Sequence, residues 1–255
     1  DEGREWGMVI SKKWGTSPEP AGHVASNSPS PIPHSRLHLL YGGTFDPVHN
    51  GHLAIARAAH DALVPTVRLM PAADPPHRAP PGADAMQRAH MLDLAVAGSH
   101  GLIVDRRELE RQGRSYSIDT LRDLRAELGP AQPLALLIGA DSFIGLPTWR
   151  EWRALFEYTH FVVAQRPGSP MDADLPVDLA AEVEGRWAHR PDELTQSPAG
   201  RLLLLDEPPH PESASEIRRR IASDADWQAL VPPAVAEFIR AEGLYATAGG
   251  EHSPL

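Results

Sequence analysis

His49 and His52 stand three residues apart in YGGTFDPVHNGH, residues 41 to 52, with a glycine between them. At the entry to a helix, an i, i+3 pair turns both imidazoles toward one ligand. A metal and an anion both fit two imidazoles. A metal needs more ligands, yet no carboxylate or third histidine stands at ligand spacing nearby. The order His-Asn-Gly-His also lacks the glutamate of a His-Glu-x-x-His zinc protease. An anion is favoured by the surroundings: Gly42 and Gly43 let backbone approach a ligand without a Cβ. The helix starting near Gly51 points N–H groups and a positive dipole end at the same space. The natural occupant is a phosphate.

Three further stretches carry chemistry. In SASEIRRRI, Ser213 can cap a helix with Glu216 three residues on, a capping-box pattern, and Arg218 one turn further in can face the phosphate site. Arg219 and Arg220 belong to a solvated face. Pro75-Pro76-His77-Arg78 offers a cation and an imidazole on a proline-stiffened loop that suits a lid. Gly139-Ala140-Asp141 ends a long apolar run. Asp46 before Pro47 is expected to shape its turn through an Asx-type hydrogen bond rather than to act as a base. His60, His90, His100 and His160 lack such a context and are assigned to core or surface.

The elements that must position these groups alternate between short apolar runs and amphipathic stretches, which favours a parallel sheet flanked by helices. LHLLYGG, TVRLMPA, GLIVD, PLALLIGADSF, HFVVAQRPG and RLLLLDE are the expected strands. Helices are expected in GHLAIARAAHDAL, in DAMQRAHMLDLAVAG with Asp84 as N-cap and Gly98 as stop, and in SIDTLRDLRAELGP opened by Ser117 and closed by Gly129. EWRALFEYTH, a stretch around Leu179 to Trp187, SASEIRRRIAS and PPAVAEFIRAEGLY complete the set. Ligands of such a sheet belong at the carboxyl ends of its strands, which gathers all the stretches above in one place.

Composition narrows the classes. The chain has 255 residues, 42% hydrophobic and 23% charged, which suits one large globular domain. Its 24 Lys and Arg against 34 Asp and Glu leave a formal net charge of -10, which argues against a general affinity for nucleic acid or anionic membranes. The absence of cysteine rules out a thiol nucleophile and fits a reducing cytoplasm. No apolar run approaches a membrane span, and the N-terminus lacks the apolar core of a secretory signal. Residues 1–35, rich in Pro, Ser and Gly, are expected to be a disordered or leader-like extension, residues 36–246 the folded domain and residues 247–255 a flexible tail. A homo-oligomer is compatible with the sequence.

GGTFDPVHNGH resembles the signature of the HxGH nucleotidyltransferases, and SASEIRRRI resembles their second signature, Ile-Ser-x-Thr-x-x-Arg. PAADPPHR, MQRAHMLDLA, DRRELERQGRSYSIDTLRDLR, LIGADSFIGLPTWREW and HFVVAQRPG are similar, in this order, to the bacterial nicotinate-mononucleotide adenylyltransferases. The likeness runs from about Leu37 to Tyr245. It departs at Glu212 and Ser215, where Ile and Thr are usual, and at Arg150, where close relatives often carry Tyr.

The resemblance implies a Rossmann-like doubly wound α/β fold, with a parallel sheet and helices on both faces. It also implies transfer of an adenylyl group from ATP, with Mg2+, to nicotinate mononucleotide, giving nicotinate adenine dinucleotide and pyrophosphate in NAD biosynthesis. The attacking phosphate oxygen is already anionic, so the chemistry needs charge stabilisation and alignment rather than a base. His49, His52 and Arg218 are the expected catalytic groups. ATP is expected to meet Gly42, Gly43, Thr44, Phe45, Gly139, Asp141, Ser213 and Ser215. The mononucleotide is expected to meet His77, Arg78, Ser115, Tyr116 and Trp149, with the Trp149 indole stacked on the pyridine. No dedicated metal site is expected. The rivals are a sibling transferase acting on nicotinamide mononucleotide or phosphopantetheine, a cytidylyltransferase, a non-catalytic nucleotide-binding regulator, and a zinc hydrolase built on the two histidines.

Overall fold

The computed structural model describes residues 37–73, 82–111, 116–165, 175–206, 210 and 212–246. The expected N-terminal extension, the C-terminal tail and the first part of the connector after Pro167 lie outside these residues. Six strands form one sheet: β1 (His38–Gly43), β2 (Val67–Pro71), β3 (Leu102–Val104), β4 (Leu134–Gly139), β5 (His160–Gln165) and β6 (Leu202–Asp206). Every pairing is parallel and the order is β3-β2-β1-β4-β5-β6. That order is the doubly wound arrangement, and it reverses direction between β1 and β4. A crevice therefore opens beyond the ends of these two strands, at Gly43 and Gly139.

Strand residues alternate between two cores. Leu39, Tyr41, Leu69, Leu137 and Val162 face α1 (Asn50–Ala62), α2 (Ala85–Val96), α8 (Ala214–Ala222) and α9 (Pro233–Ala241). Leu40, Met70, Leu136, Ile138 and Val163 face α4 (Ser117–Leu128), α5 (Ala140–Ile144), α6 (Leu155–Tyr158) and α7 (Val177–Val183). With both faces covered, the central strands are continuous apolar runs, as in LLYG and LALLI. One further turn, α3 (Arg107–Glu110), follows β3.

Several boundaries differ from the sequence expectation for physical reasons. The run PLALLIGADSF is a strand only to Gly139; the apolar residues continue into the short helix α5 because both elements are buried. Ser117 is the first helical residue of α4, and Tyr116 is the N-cap without a side-chain hydrogen bond. EWRALFEYTH gives only the single turn α6, preceded by turns in which Glu151 has φ 50°. The connector helix lies earlier than expected, at Val177–Val183, and Trp187 instead forms a bridge to Leu202. Asp84 caps α2 as expected, in a reciprocal box with Gln87, and Gly98 follows at φ 74°.

His38 opens β1 at the end of the sheet remote from the crevice. Burial, followed by the charges of Arg68 and Arg107, lowers its pKa from 6.5 to about 4. The unfolded chain takes up a proton below pH 6.5 that the folded chain refuses. Stability is therefore intact above pH 6.5 and declines as pH falls toward 4. Urea midpoints at pH 7 and pH 4.5 should show a smaller acid loss for His38→Asn than for the native chain; equal losses would contradict this.

Candidate active site

Helix α1 begins at the two histidines, which cap it. The backbone N–H of His52 donates to Nδ1 of His49 at 3.3 Å, and the N–H of His49 donates to Nδ1 of His52 at 3.2 Å. This is a capping box made of imidazoles. A ring that accepts at Nδ1 carries its proton on Nε2, so the box selects the neutral Nε2–H tautomer in both. The rings stack with centroids 3.6 Å apart and 26° between planes. Two imidazoliums that close would repel by about 4 kcal/mol at an effective dielectric of 20. The glycine between them has a reason as well: a Cβ on Gly51 would lie 3.1 Å from the His49 ring.

The loop from β1 to α1 is shaped by Phe45, at φ 52°. Its ring is 2% exposed and lies over Gly43, where a Cβ would come within 2.9 Å of it. The ring meets His52 edge-on at a centroid distance of 5.0 Å. Phe45 thus supports the histidine from the core side, with its ring turned into the core. Arg88 of α2, fully buried, donates to the carbonyl of Thr44 at 2.7 Å and to that of Ala73 at 2.9 Å, joining the loops after β1 and β2.

Asp46 precedes the cis bond to Pro47. Among the described residues, the partners of its carboxylate are remote rather than the local Asx-type bond expected of it. Oδ2 accepts from the N–H of Gly82 at 2.9 Å, and Oδ1 accepts from the N–H of Ala83 at 3.1 Å and from the Tyr245 hydroxyl at 2.7 Å. A carboxylate saturated by donors suits a brace between loops.

The second signature reaches the first here. Arg218 of α8 donates from Nη1 to the carbonyl of Asp46 at 2.6 Å and from Nη2 to Oγ of Ser215 at 3.4 Å. Ser213 caps α8 by accepting from the N–H of Glu216 at 3.2 Å. Only this half of the expected capping box forms, because the Glu216 carboxylate is taken by Arg219 and Arg220. Those two arginines lower the pKa of Glu216 to about 2. The departure at Glu212 packs beside Gly51, with Oε2 3.6 Å from Nδ1 of His210.

A cavity of ≈ 270 Å³ opens from the carboxyl ends of β1 and β4 toward α4. Its lining combines Gly42, Gly43 and Thr44 with Tyr116, Asp141, Trp149 and Arg150. The departure at Arg150 closes one side: its guanidinium lies 4.9 Å from the centroid of the Tyr116 ring. Glu108, 5% exposed, forms part of the floor and accepts from Thr120 Oγ1 at 2.9 Å, and Thr120 in turn accepts from Arg111 at 3.0 Å. Gly139 has open space where a Cβ would stand. The structure thus brings together His49, His52, Arg218, Ser213 and Ser215 on one side and Tyr116, Trp149 and Asp141 on the other, with Gly42 to Thr44 common to both. His77, Arg78 and Ser115 lie outside the described residues.

Sequence reasoning missed three supporting groups. Arg88 sits in the helix α2 and Glu108 in the single turn α3, settings in which a charged residue signals solvent. Tyr245 lies 199 positions from Asp46. His160, given to the core, is there: its Nδ1 accepts from the N–H of Arg201 at 2.9 Å and its Nε2 lies 2.8 Å from the Ser197 carbonyl. Among the described residues no helix is long and apolar enough to cross a membrane.

Comparison with known proteins agrees with this geometry. Residues 40–220 match the model of a family described as cytidylyltransferase-like. A protein of Stenotrophomonas maltophilia named "Probable nicotinate-nucleotide adenylyltransferase" is 58% identical over 214 residues, 82% of this chain and 96% of its own. A protein of the same name from Xylella fastidiosa strain M12 is 50% identical, with the same shares covered. Among solved structures, a Plasmodium falciparum nicotinic acid mononucleotide adenylyltransferase complexed with NaAD superposes with a TM-score of 0.61 at 16% identity, over 82% of this chain and 97% of that one. At that identity the superposition speaks for the doubly wound fold, and the closer sequences carry the rest: this chain belongs to the nicotinate-nucleotide adenylyltransferases within the cytidylyltransferase-like family.

Proposed function

We propose that the chain joins ATP and nicotinate mononucleotide into nicotinate adenine dinucleotide, releasing pyrophosphate. The observation that carries this is the meeting of Arg218 with the loop that ends in His49 and His52, next to a cavity lined by Tyr116 and Trp149. ATP would lie over Gly42, Gly43 and Thr44. A phosphate oxygen of the mononucleotide attacks the α-phosphorus, the bond from that phosphorus to the oxygen bridging to the β-phosphate breaks, and pyrophosphate departs with the electron pair. With Nδ1 of each histidine engaged by backbone, Nε2–H is the donor each ring brings to the α- and β-phosphates. Arg218 and the Ser213 hydroxyl, whose oxygen caps α8 while its proton can be donated, hold the β- and γ-phosphates. These groups stabilise charge that grows as the bond breaks.

Among the described residues no three His, Cys, Asp or Glu side chains gather as a metal site. Mg2+ is proposed to enter as part of the ATP substrate, ligated by phosphate oxygens and water. Asp141, at the start of α5 and in the lining of the cavity, is proposed to accept from a ribose hydroxyl. Trp149 and Tyr116 form an aromatic wall for the pyridine, and His77, Arg78 and Ser115 are proposed for the mononucleotide on sequence grounds alone. The lack of cysteine fits work in a reducing cytoplasm.

The test is chromatography of products after incubation with ATP, Mg2+ and, separately, nicotinate mononucleotide, nicotinamide mononucleotide or phosphopantetheine. The dinucleotide and pyrophosphate are expected from nicotinate mononucleotide; no pyrophosphate in any tube would refute the proposal. Trp149→Ala should raise KM for the mononucleotide by about 5- to 150-fold, the equivalent of about 1–3 kcal/mol of lost stacking, and leave KM for ATP unchanged. A variant with both constants unchanged would remove Trp149 from the pyridine site.

A further inference from the structure

The chain beyond α9 returns to the active site. It passes Gly243 and reaches Tyr245 in a left-handed conformation, φ 64°. The Tyr245 ring lies on Gly82, where a Cβ would stand 2.8 Å from it, and its hydroxyl donates to Oδ1 of Asp46 at 2.7 Å. The Asp46 residue is 5% exposed, and the N–H groups of Gly82 and Ala83 complete its shell. Arg218 is the remaining neighbour, with Nη1 3.7 Å from Oδ2 and a side chain 36% exposed. That separation is longer than a direct charge-assisted hydrogen bond. The guanidinium is anchored instead through the Asp46 carbonyl, at 2.6 Å.

A carboxylate short of donors would draw the nearest cation into contact, and that cation is the one proposed for the ATP polyphosphate. We infer that Tyr245 is a positioning residue for Arg218: its phenol fills the Asp46 carboxylate, so that Arg218 stays at ion-pair distance without a direct hydrogen bond to that carboxylate and keeps its charge directed at the β- and γ-phosphates. Burial, then the Asp46 charge, raises the pKa of the phenol, so the hydroxyl remains a donor at neutral pH. The inference rests on the proposed contact of Arg218 with ATP.

A kinetic cycle tests it. Tyr245→Phe keeps the ring and removes the hydroxyl. It should lower kcat about 10-fold, raise KM for ATP, and leave KM for nicotinate mononucleotide unchanged. Gly82→Ala keeps every polar group but forces the ring off Asp46 and should give the same split, so either variant suffices if the other fails to fold. In an Arg218→Ala background, both substitutions should cost nothing further, because the group they position is gone. Wild-type constants in a folded single variant, or a full 10-fold loss on top of Arg218→Ala, would overturn the inference alone. Wild-type kinetics for Arg218→Ala by itself would overturn the assignment of Arg218 to ATP, and the inference with it.

Discussion

His49→Asn and His52→Gln should each fold almost as well as the native chain and lose about 10²- to 10³-fold in kcat. The two substitutions separate the capping role that the structure gives each ring from the phosphate contact proposed for it. Asparagine is among the best N-cap residues, and glutamine at the third helical position reaches back to the N-cap N–H, so the box around α1 survives. What disappears is the imidazole Nε2–H in its place, because the amide N–H that succeeds it is held by the cap in another orientation, and with it the stacked pair, whose centroids lie 3.6 Å apart. Thermal midpoints should therefore move little, within about 1 kcal/mol of stability, while turnover under saturating ATP collapses. His52→Ala should lose turnover and also the half of the box that His52 supplies, the acceptor for the His49 N–H. If the capping variants turned over at near the native rate, the histidines would be structural, and the charge on the departing pyrophosphate would have to be met elsewhere.

Arg88→Met should destabilise the fold by about 2–4 kcal/mol, read as a shift in the urea midpoint at constant slope. The side chain is similar in length and apolar, so packing is largely kept, but the carbonyls of Thr44 and Ala73 lose their donor. A buried acceptor left without a partner costs about 1–3 kcal/mol, partly offset because the guanidinium no longer has to be desolvated. Arg88→Lys should fall between, since one ammonium cannot reach two carbonyls in the planar fork geometry. Activity should fall along with stability in Arg88→Met, because Thr44 belongs to the loop proposed to hold ATP. Stability equal to that of the native chain would show that the two loops hold each other without this bridge.

The strand ends and both signatures were legible because glycine pairs, cap residues and apolar runs are local signals. The helix starts near Gly51 and at Ser213 could be placed for that reason. The inside of the imidazole box was not legible, since histidine is not among the residues that commonly cap helices and its tautomer depends on backbone geometry. Helix α5 was hidden inside an apolar run that is equally compatible with a strand. The brace at Asp46 joins residues from four separate stretches, Asp46, Gly82, Arg218 and Tyr245, and no periodicity links them. Arg150 illustrates the same limit: its departure from relatives could be seen in the sequence, but its stacking over Tyr116 could not.

The position of β1 also sets a timetable for synthesis. Of the six described strands it is the first to leave the ribosome, yet it ends in the middle of the sheet between β2 and β4. Its first partner follows after a single helix, whereas β4 comes about 90 residues after Gly43. At translation rates of about 5–20 residues per second, one edge of an apolar strand waits roughly 5–20 s for its neighbour. An edge of that kind pairs readily with the wrong chain, so the nascent protein is most exposed to aggregation before Leu134 emerges. The adenylyl-transfer site is completed later still, when Tyr245 comes free to close on a loop made some 200 residues earlier.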